Sequence, residues 1–224
     1  MGLFGSIFDR LTLGFFRLFS GRLGKKKREA QLIQNRKVWK DLAPEGFIEY
    51  QYKLREMGYG HAGALGRKLF FHGNKLTAAD NACEVIAVYN ALLALKEKAD
   101  FPQLLHEFSG RGICANGMFG TNPAAMLRYL KSRGLMVSAL RGGRITKESL
   151  GKLAENYPVM IFTAFNRGRN PFRMIHTMCV TRDKEGWQVH NDGGLRPAES
   201  PADAVLNYND GEGHAICVIG VGKA

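Results

Sequence analysis

The stretch IHTMCVTRDKEGWQVHND, residues 175–192, contains the pattern that decides the fold prediction. Two apolar, β-branched runs flank the polar tetrapeptide Asp183-Lys184-Glu185-Gly186, which is typical of a hairpin whose turn contains glycine. His176 stands at the head of the first run, and Asn191-Asp192 follows the second. The stretch therefore predicts an antiparallel hairpin that returns an amide or a carboxylate alongside an imidazole.

The elements around this hairpin define the fold class. Further strands are predicted by apolar runs at 135–140, 157–165 and 214–221. Helices are predicted mainly before them, over 30–60 with a break at Pro44-Glu45-Gly46, over 82–95, from Asn122 to Gly134, over 146–156 and briefly from Ser200. Helices first and antiparallel strands later predict an α+β fold.

The composition is that of an ordinary globular domain. Of the 224 residues, 45% are apolar and 23% are charged, which excludes a disordered or fibrous chain. None of the four cysteines lies in a CxxC pair, so zinc-ribbon and thioredoxin-type redox motifs are excluded as well. The spacing of His176, His190 and His214 is not diagnostic of a metal site. No metal and no cofactor are predicted.

The N-terminus carries half of the net charge of +12, since residues 1–28 contain seven basic residues and one acidic residue, Asp9. Charged residues interrupt the apolar ones early, so neither a cleavable signal nor a transmembrane helix is predicted. The large apolar residues recur instead with helical spacing, and the helix should end near Ser20-Gly21. This stripe consists of Phe4, Ile7, Phe8, Leu11, Phe15, Leu18 and Phe19.

Two interpretations of this amphipathic helix have equal weight. The helix can lie in a bilayer interface, with Phe4, Phe8 and Phe15 in the lipid and the run Lys25-Lys26-Lys27-Arg28 at anionic headgroups. It can also pack on the domain that follows or on a partner. Nucleic-acid binding is the least favoured option. The basic run gains nothing from internal packing, which inclines the prediction slightly towards the bilayer.

The tetrapeptide Asn81-Ala82-Cys83-Glu84 points most directly to chemistry. Asn81 is a favourable N-cap and Glu84 stands three residues later, as in a capping box, which predicts Cys83 at the second position of a helix. The positive end of a helix and its unpaired N–H groups favour the thiolate, the reactive form of cysteine. The alternative is a cysteine that packs as a small apolar residue, which is the interpretation for Cys179 and Cys217.

A nucleophilic thiol needs a base, and the base needs an orienting group. His176 fits this role because the hairpin returns Asn191 or Asp192 beside it, and Asp192 follows His176 by 16 positions. His214 is the rival base, since it heads the last predicted strand. Only three residues follow that strand, so no orienting group can come after His214.

The chain resembles the papain-like cysteine peptidases in the order of its candidate cysteine, histidine and orienting residue. It is most similar to the bacteriocin-processing, double-glycine-leader branch. The resemblance covers roughly residues 70–221. It implies N-terminal helices whose nucleophile helix packs on a C-terminal antiparallel sheet, and a triad of nucleophile, base and orienting residue. The matching residues are Asn81-Ala82-Cys83 with Ala87, Asn90 and Ala91, then His176, and then Asn191-Asp192.

Two positions depart from the family pattern. Thr77 replaces the glutamine that the family places six positions before the cysteine, and Glu84 replaces the glycine after it. The oxyanion donor beside the Cys83 backbone N–H is therefore open, with Asn74, Thr77 and Asn81 as candidates. Loss of one such donor lowers the rate on the order of 10²–10³-fold.

The sequence thus predicts a basic amphipathic segment at 1–28, a helical and glycine-rich connection at 29–69, and a papain-like catalytic domain at 70–224. The predicted function is a thiol hydrolase, a cysteine peptidase that acts on a peptide or protein substrate through a thioester. The alternatives are an acyl or amide transferase and a weakly catalytic papain-like binding module. A cytoplasmic location is expected, or a peripheral one at the inner membrane face. The substrate and the oligomeric state are not predicted.

Overall fold

The structure is a computed structural model that describes residues 3–43, 45–61, 77–114, 117, 120–168 and 175–224, with side chains from residue 7 onward. The first part of the chain is mostly helical. Its elements are α1 (Leu3–Leu18), β1 (Ser20–Gly21), α2 (Lys25–Leu42), α3 (Lys53–Met57), α4 (Ala78–Asn81), α5 (Cys83–Ala94), α6 (Phe101–Ser109), β2 (Ile113–Cys114) and α7 (Pro123–Ser132).

The second part contains the long strands. Its elements are β3 (Met136–Arg141), α8 (Lys147–Asn156), β4 (Val159–Phe165), β5 (Ile175–Asp183), β6 (Gly186–His190), β7 (Arg196–Ala198), α9 (Pro201–Leu206) and β8 (His214–Gly222). The predicted α+β class is confirmed, with N-terminal helices on a C-terminal antiparallel sheet.

Six strands form this sheet in the order β3-β8-β4-β5-β6-β7, and every neighbouring pair is antiparallel. The predicted hairpin is β5–β6, in which Asp183 pairs with Gly186 at the turn. In the register of β4, Ala164 lies opposite His176 of β5, and Phe165 lies opposite His214 of β8. β4 therefore separates the two histidines that compete for the role of base.

The side chains of the sheet alternate between its two faces, and helices cover both faces. Val159 and Ile161 of β4 join the core cluster that contains α5, α6 and α7. Met160 and Phe162 join a second cluster with α8 and α9 on the other face. A strand with two buried faces reads as a continuous apolar run, and all of β4 is buried.

Local capping explains where several helices begin. Asn122 caps α7 by accepting a hydrogen bond from the Ala124 N–H, with Pro123 at the first helical position, and Ser200 caps α9 in the same way. Helix α6 was missed in the sequence. It also has a cap, since Asp100 accepts a hydrogen bond from the Gln103 N–H.

The predicted helix over 30–60 with its break is confirmed in part, since α2 ends at Leu42 and only Lys53–Met57 is helical after the break. Between α2 and α3, the side-chain amide of Asn90 in α5 binds both the N–H and the carbonyl of Ile48. The Ile48 N–H donates to Asn90 Oδ1 at 2.9 Å, and Asn90 Nδ2 donates to the Ile48 carbonyl at 3.0 Å. This fully buried amide holds the segment around Ile48 against α5.

Helix α1 packs on the domain by one face. Asp9 is fully buried and its carboxylate lies 2.9 Å from His214 Nε2. Phe16 is buried in a cluster with Cys114 and Phe165. This face of α1 therefore packs on the domain, as the second interpretation of the helix predicts. Among the residues that the structure describes, no helix combines the length and apolarity needed to cross a bilayer.

Candidate active site

Cys83 is the first residue of α5, and Ala82 is its N-cap. The predicted cap by Asn81 is wrong, because Asn81 instead ends the short helix α4, which Thr77 caps. The Asn81 side chain turns away and donates to the His61 carbonyl at 3.2 Å. Cys83 is therefore the first residue of its helix and not the second. It lies beside the backbone N–H groups of the first turn, which have no partner within the helix.

The thiol of Cys83 is held as a neutral donor. Its Sγ lies 3.3 Å from Glu84 Oε2, and the side chain is only 6% exposed. Burial and, second, the negative charge of Glu84 raise the pKa of Cys83 well above its usual range, although the backbone N–H groups of Thr177 and Glu84 act the other way. Burial disfavours the Cys83 thiolate more than the helix N-terminus favours it, so Cys83 carries a neutral thiol in this structure.

Glu84 is buried beside the thiol, and burial raises the pKa of its carboxyl from 4.5 to about 7. The backbone N–H groups of Glu84 and Thr121 bind it and oppose this shift. Gly120 makes room for the carboxylate, since a Cβ there would lie 2.5 Å from both carboxylate oxygens, and its φ of +62° also favours glycine. This buried carboxyl competes with any base for the thiol proton.

His176 is oriented by the turn that follows β6. Its Nε2 lies 2.5 Å from the backbone carbonyl of Asn191, which can only accept, so Nε2 carries the proton and Nδ1 is left to act as a base. Asn191 has a φ of +67°, a left-handed conformation that asparagine tolerates better than most residues. Burial lowers the pKa of His176, while the Asn191 carbonyl and the charge of Asp192 raise it.

Asp192 acts on His176 through space rather than by a hydrogen bond. Its Oδ2 accepts from Arg196 Nε at 2.5 Å. On its outer side the aspartate borders a polar concavity lined by Asp192, Arg196, Asp203, Asn207, Asn209 and Asp210. The predicted orienting pair is thus present beside the imidazole, but the contact is made by the Asn191 main chain.

Helix α5 brings the thiol to the strand of His176. The thiol is close enough to the backbone of Thr177, the residue after His176, for that N–H to lower its pKa. Thr177 shares its side of β5 with Cys179 in the core that faces α5, whereas Met178 belongs to the opposite core. Because successive side chains of a strand point to opposite faces, His176 lies on the face of Met178. A contact between its ring and the Cys83 thiol would therefore form at the edge of the sheet, where β5 begins.

The resting state contains no hydrogen bond between Cys83 Sγ and the His176 ring among the described residues. Tyr208 is buried, and its pKa is raised by burial and then by the charges of Asp192 and Cys83. A direct proton transfer from the Cys83 thiol to the His176 imidazole therefore needs a change of side-chain conformation.

Gln51 joins the two halves of this site and was missed in the sequence. Its Nε2 donates to the carbonyl of Ala79 in α4, four positions before Cys83, at 2.8 Å. Its Oε1 accepts from Asn191 Nδ2 at 3.1 Å, and its backbone N–H donates to Asn191 Oδ1 at 3.0 Å. No motif marks Gln51, because it lies 140 residues from Asn191 and only the fold brings them together.

The predicted oxyanion donors are engaged elsewhere. The Thr77 hydroxyl and backbone N–H both donate to Asp80, at 2.9 and 2.7 Å. Asn81 donates to His61, and Asn74 lies outside the described residues. Among the described candidates, this leaves the backbone N–H of Cys83 at the start of α5.

The rival histidines have other partners. His214 binds Asp9 of α1, two strands away from His176 in the sheet. His190 lies between Glu49 and Thr181, at 2.7 and 2.8 Å. Within the described part of the chain, no group of three or more His, Cys, Asp or Glu side chains is placed to hold a metal ion.

The remaining cysteines are core residues. Cys179 and Cys217 lie buried in β5 and β8, as predicted, and Cys114 is buried below α1. Burial raises the pKa of Cys114 to about 12 and that of Cys217 to about 11. Of the four thiols, that of Cys83 is the most exposed.

No protein-family model matches this sequence, and no curated protein is significantly similar to it. The resemblance to papain-like peptidases therefore rests on the sequence motifs alone.

Proposed function

We propose that this protein is a papain-like cysteine peptidase in which Cys83 is the nucleophile, His176 the base and Asp192 with Asn191 the orienting pair. The observation that carries the proposal is the meeting of three elements. Cys83 opens a helix, that helix packs on β5, whose second residue is His176, and the Asn191 carbonyl fixes the His176 tautomer. This combination meets the requirements of a thiol nucleophile with an oriented base.

The proposed reaction follows from these roles. Nδ1 of His176 takes the thiol proton, and Cys83 Sγ attacks the carbonyl carbon of the scissile amide. The amide C–N bond then breaks, the imidazolium gives its proton to the leaving amine, and a thioester to Cys83 remains. Water, deprotonated by the same imidazole, attacks the thioester and releases the acid with a neutral thiol. The Cys83 backbone N–H stabilises the oxyanion in both steps.

A weakly catalytic papain-like binding module is the second candidate. The thiol bonded to Glu84 and the engaged side chains of Thr77 and Asn81 favour it, because each raises the barrier to thioester formation. An acyl or amide transferase would use the same thioester and differ only in the nucleophile that attacks it, an amine or alcohol in place of water.

Incubation of the full chain with a proteome-derived peptide library tests the proposal. Mass spectrometry should detect new peptide termini with the wild-type chain and none with Cys83→Ala. Cys217→Ala removes a different buried thiol and should still give the same products. A wild-type chain that forms no products, or a Cys83→Ala chain that forms the same ones, would contradict a cysteine peptidase.

A further inference from the structure

The side of α1 that faces away from the domain forms an apolar surface. Asp9 and Leu11 are two positions apart, which places them on opposite sides of a helix with 3.6 residues per turn. Leu11 is 66% exposed and Leu18 is 79% exposed. The rings of Phe15 and Phe19 stack at 4.4 Å on the same surface. We call this surface the outer face of α1; its members are Ile7, Leu11, Phe15, Leu18 and Phe19.

An apolar surface of this kind needs an occupant. Single exposed apolar side chains are normal, but a contiguous set of four on one helix and a fifth directly after it marks an interaction site. The domain already uses the opposite side of α1, through Asp9 and Phe16, and Phe8 packs against Phe165 with ring centroids 6.0 Å apart. The outer face can therefore be covered without detaching the helix.

The charge around the outer face identifies the occupant. Arg10 and Arg17 are exposed along one flank of α1, and Arg22 with Lys25-Lys26-Lys27 is exposed after its end. Leu18 and Lys25 are seven positions apart, which limits the distance between them to about 25 Å. The sequence between Arg10 and Arg28 contains no acidic residue. A second copy would bring like charges together, whereas an anionic surface would neutralise them.

We propose that the outer face of α1 and the exposed Arg22 and Lys25-Lys26-Lys27 form one binding surface for an anionic lipid bilayer. The apolar side chains enter the interface while the cations contact headgroups, as in other interfacial helices. Arg28 is not part of this surface, because it is half-buried and its carbonyl contacts His106 Nδ1. β1 pairs with β2 and fixes the end of α1, so the domain and the helix bind as one body.

Co-sedimentation of the full chain with vesicles tests this surface. Vesicles of phosphatidylcholine with phosphatidylglycerol should bind the wild-type chain, and phosphatidylcholine alone should bind it far more weakly. The variant Lys25→Gln/Lys26→Gln/Lys27→Gln should bind about a hundredfold more weakly and lose most of its salt dependence. The variant Leu11→Ser/Leu18→Ser should lose at least about tenfold.

Two matched variants control for charge and for apolar content. Lys131→Gln/Lys147→Gln/Lys184→Gln changes the net charge equally, and Leu195→Ser/Leu206→Ser removes two exposed leucines elsewhere. Both should bind like the wild type, and circular dichroism should show every variant folded. Absence of wild-type binding, equal binding to both vesicle types, or unchanged binding of Leu11→Ser/Leu18→Ser overturns the proposal. A dimer that depends on Leu11 and Leu18, without vesicle binding, overturns it in favour of a second copy.

Discussion

A chain carrying His176→Gln should hydrolyse its best library peptide about 10²–10⁴-fold more slowly than the wild type, the range that general acid–base catalysis contributes. Glutamine can still donate to the Asn191 carbonyl that now binds Nε2, so the turn after β6 keeps its contact. It cannot take a proton from the Cys83 thiol or return one to the leaving amine. The measurement is kcat/KM by chromatographic product detection.

The rival base provides the matched control. His214→Gln changes the same side chain two strands away and can still donate to Asp9. It should leave kcat/KM within a few-fold of wild type. A loss caused by His214→Gln, with His176→Gln unaffected, would assign the base to His214 and contradict the proposed triad.

Glu84→Gln should make the folded chain more stable at pH 8 than the wild type by about 3 kcal/mol relative to their difference at pH 4. The folded pKa of Glu84 is raised from 4.5 to about 7. Between these values the folded chain keeps a proton that the unfolded chain has released, so wild-type stability falls as pH rises through this window. Glutamine does not titrate, and the penalty disappears. Urea unfolding at both pH values measures the difference.

His61 has the opposite pH dependence and cancels in this comparison. Burial lowers the pKa of His61 from 6.5 to about 4, so its contribution makes both chains less stable as pH falls through that window. Glu155→Gln, at an exposed position of α8, controls for loss of a carboxylate. If Glu84→Gln and wild type differ equally at pH 4 and pH 8, the carboxyl beside Cys83 does not titrate as described.

The same variant also distinguishes the effect of Glu84 on the Cys83 thiol from that of His176. Removing the negative charge 3.3 Å from the thiol takes away the second largest cause of its raised pKa. Glu84→Gln should therefore increase the thiolate fraction, whereas His176→Gln removes the proposed acceptor of the thiol proton. Opposite effects of the two variants on thiol reactivity are expected if Glu84 restrains the thiol and His176 activates it.

The features that the sequence predicted well are those encoded over short distances. The hairpin β5–β6, the cap at Asn122 and the buried cysteines of β5 and β8 depend on alternation and on neighbouring residues. The prediction for the start of α5 also used neighbouring residues only and was wrong by one position. It took Asn81 as the N-cap, whereas the Asn81 side chain binds the carbonyl of His61. Tertiary contacts decided that position.

The parts of the site that were missed depend on long-range contacts. Gln51 and Asn191 meet across 140 residues, and Asn90 holds Ile48 across 42. The burial of Glu84 was also missed, because a glutamate in a first helical turn is ordinarily a solvated residue that stabilises the helix end. Here Gly120 and Thr121 lie against its carboxyl group, and its negative charge raises the pKa of the Cys83 thiol.

Site-resolved alkylation measures whether His176 activates Cys83. The folded chain is treated with iodoacetamide at pH 7.5, and the label on each cysteine is followed by peptide mass spectrometry in wild type and His176→Gln. Cys83 should be labelled before Cys114, Cys179 and Cys217 in the wild type, and about 10²-fold more slowly in the variant. Equal labelling of all four cysteines, or an unchanged Cys83 rate in His176→Gln, would show that His176 does not activate the thiol.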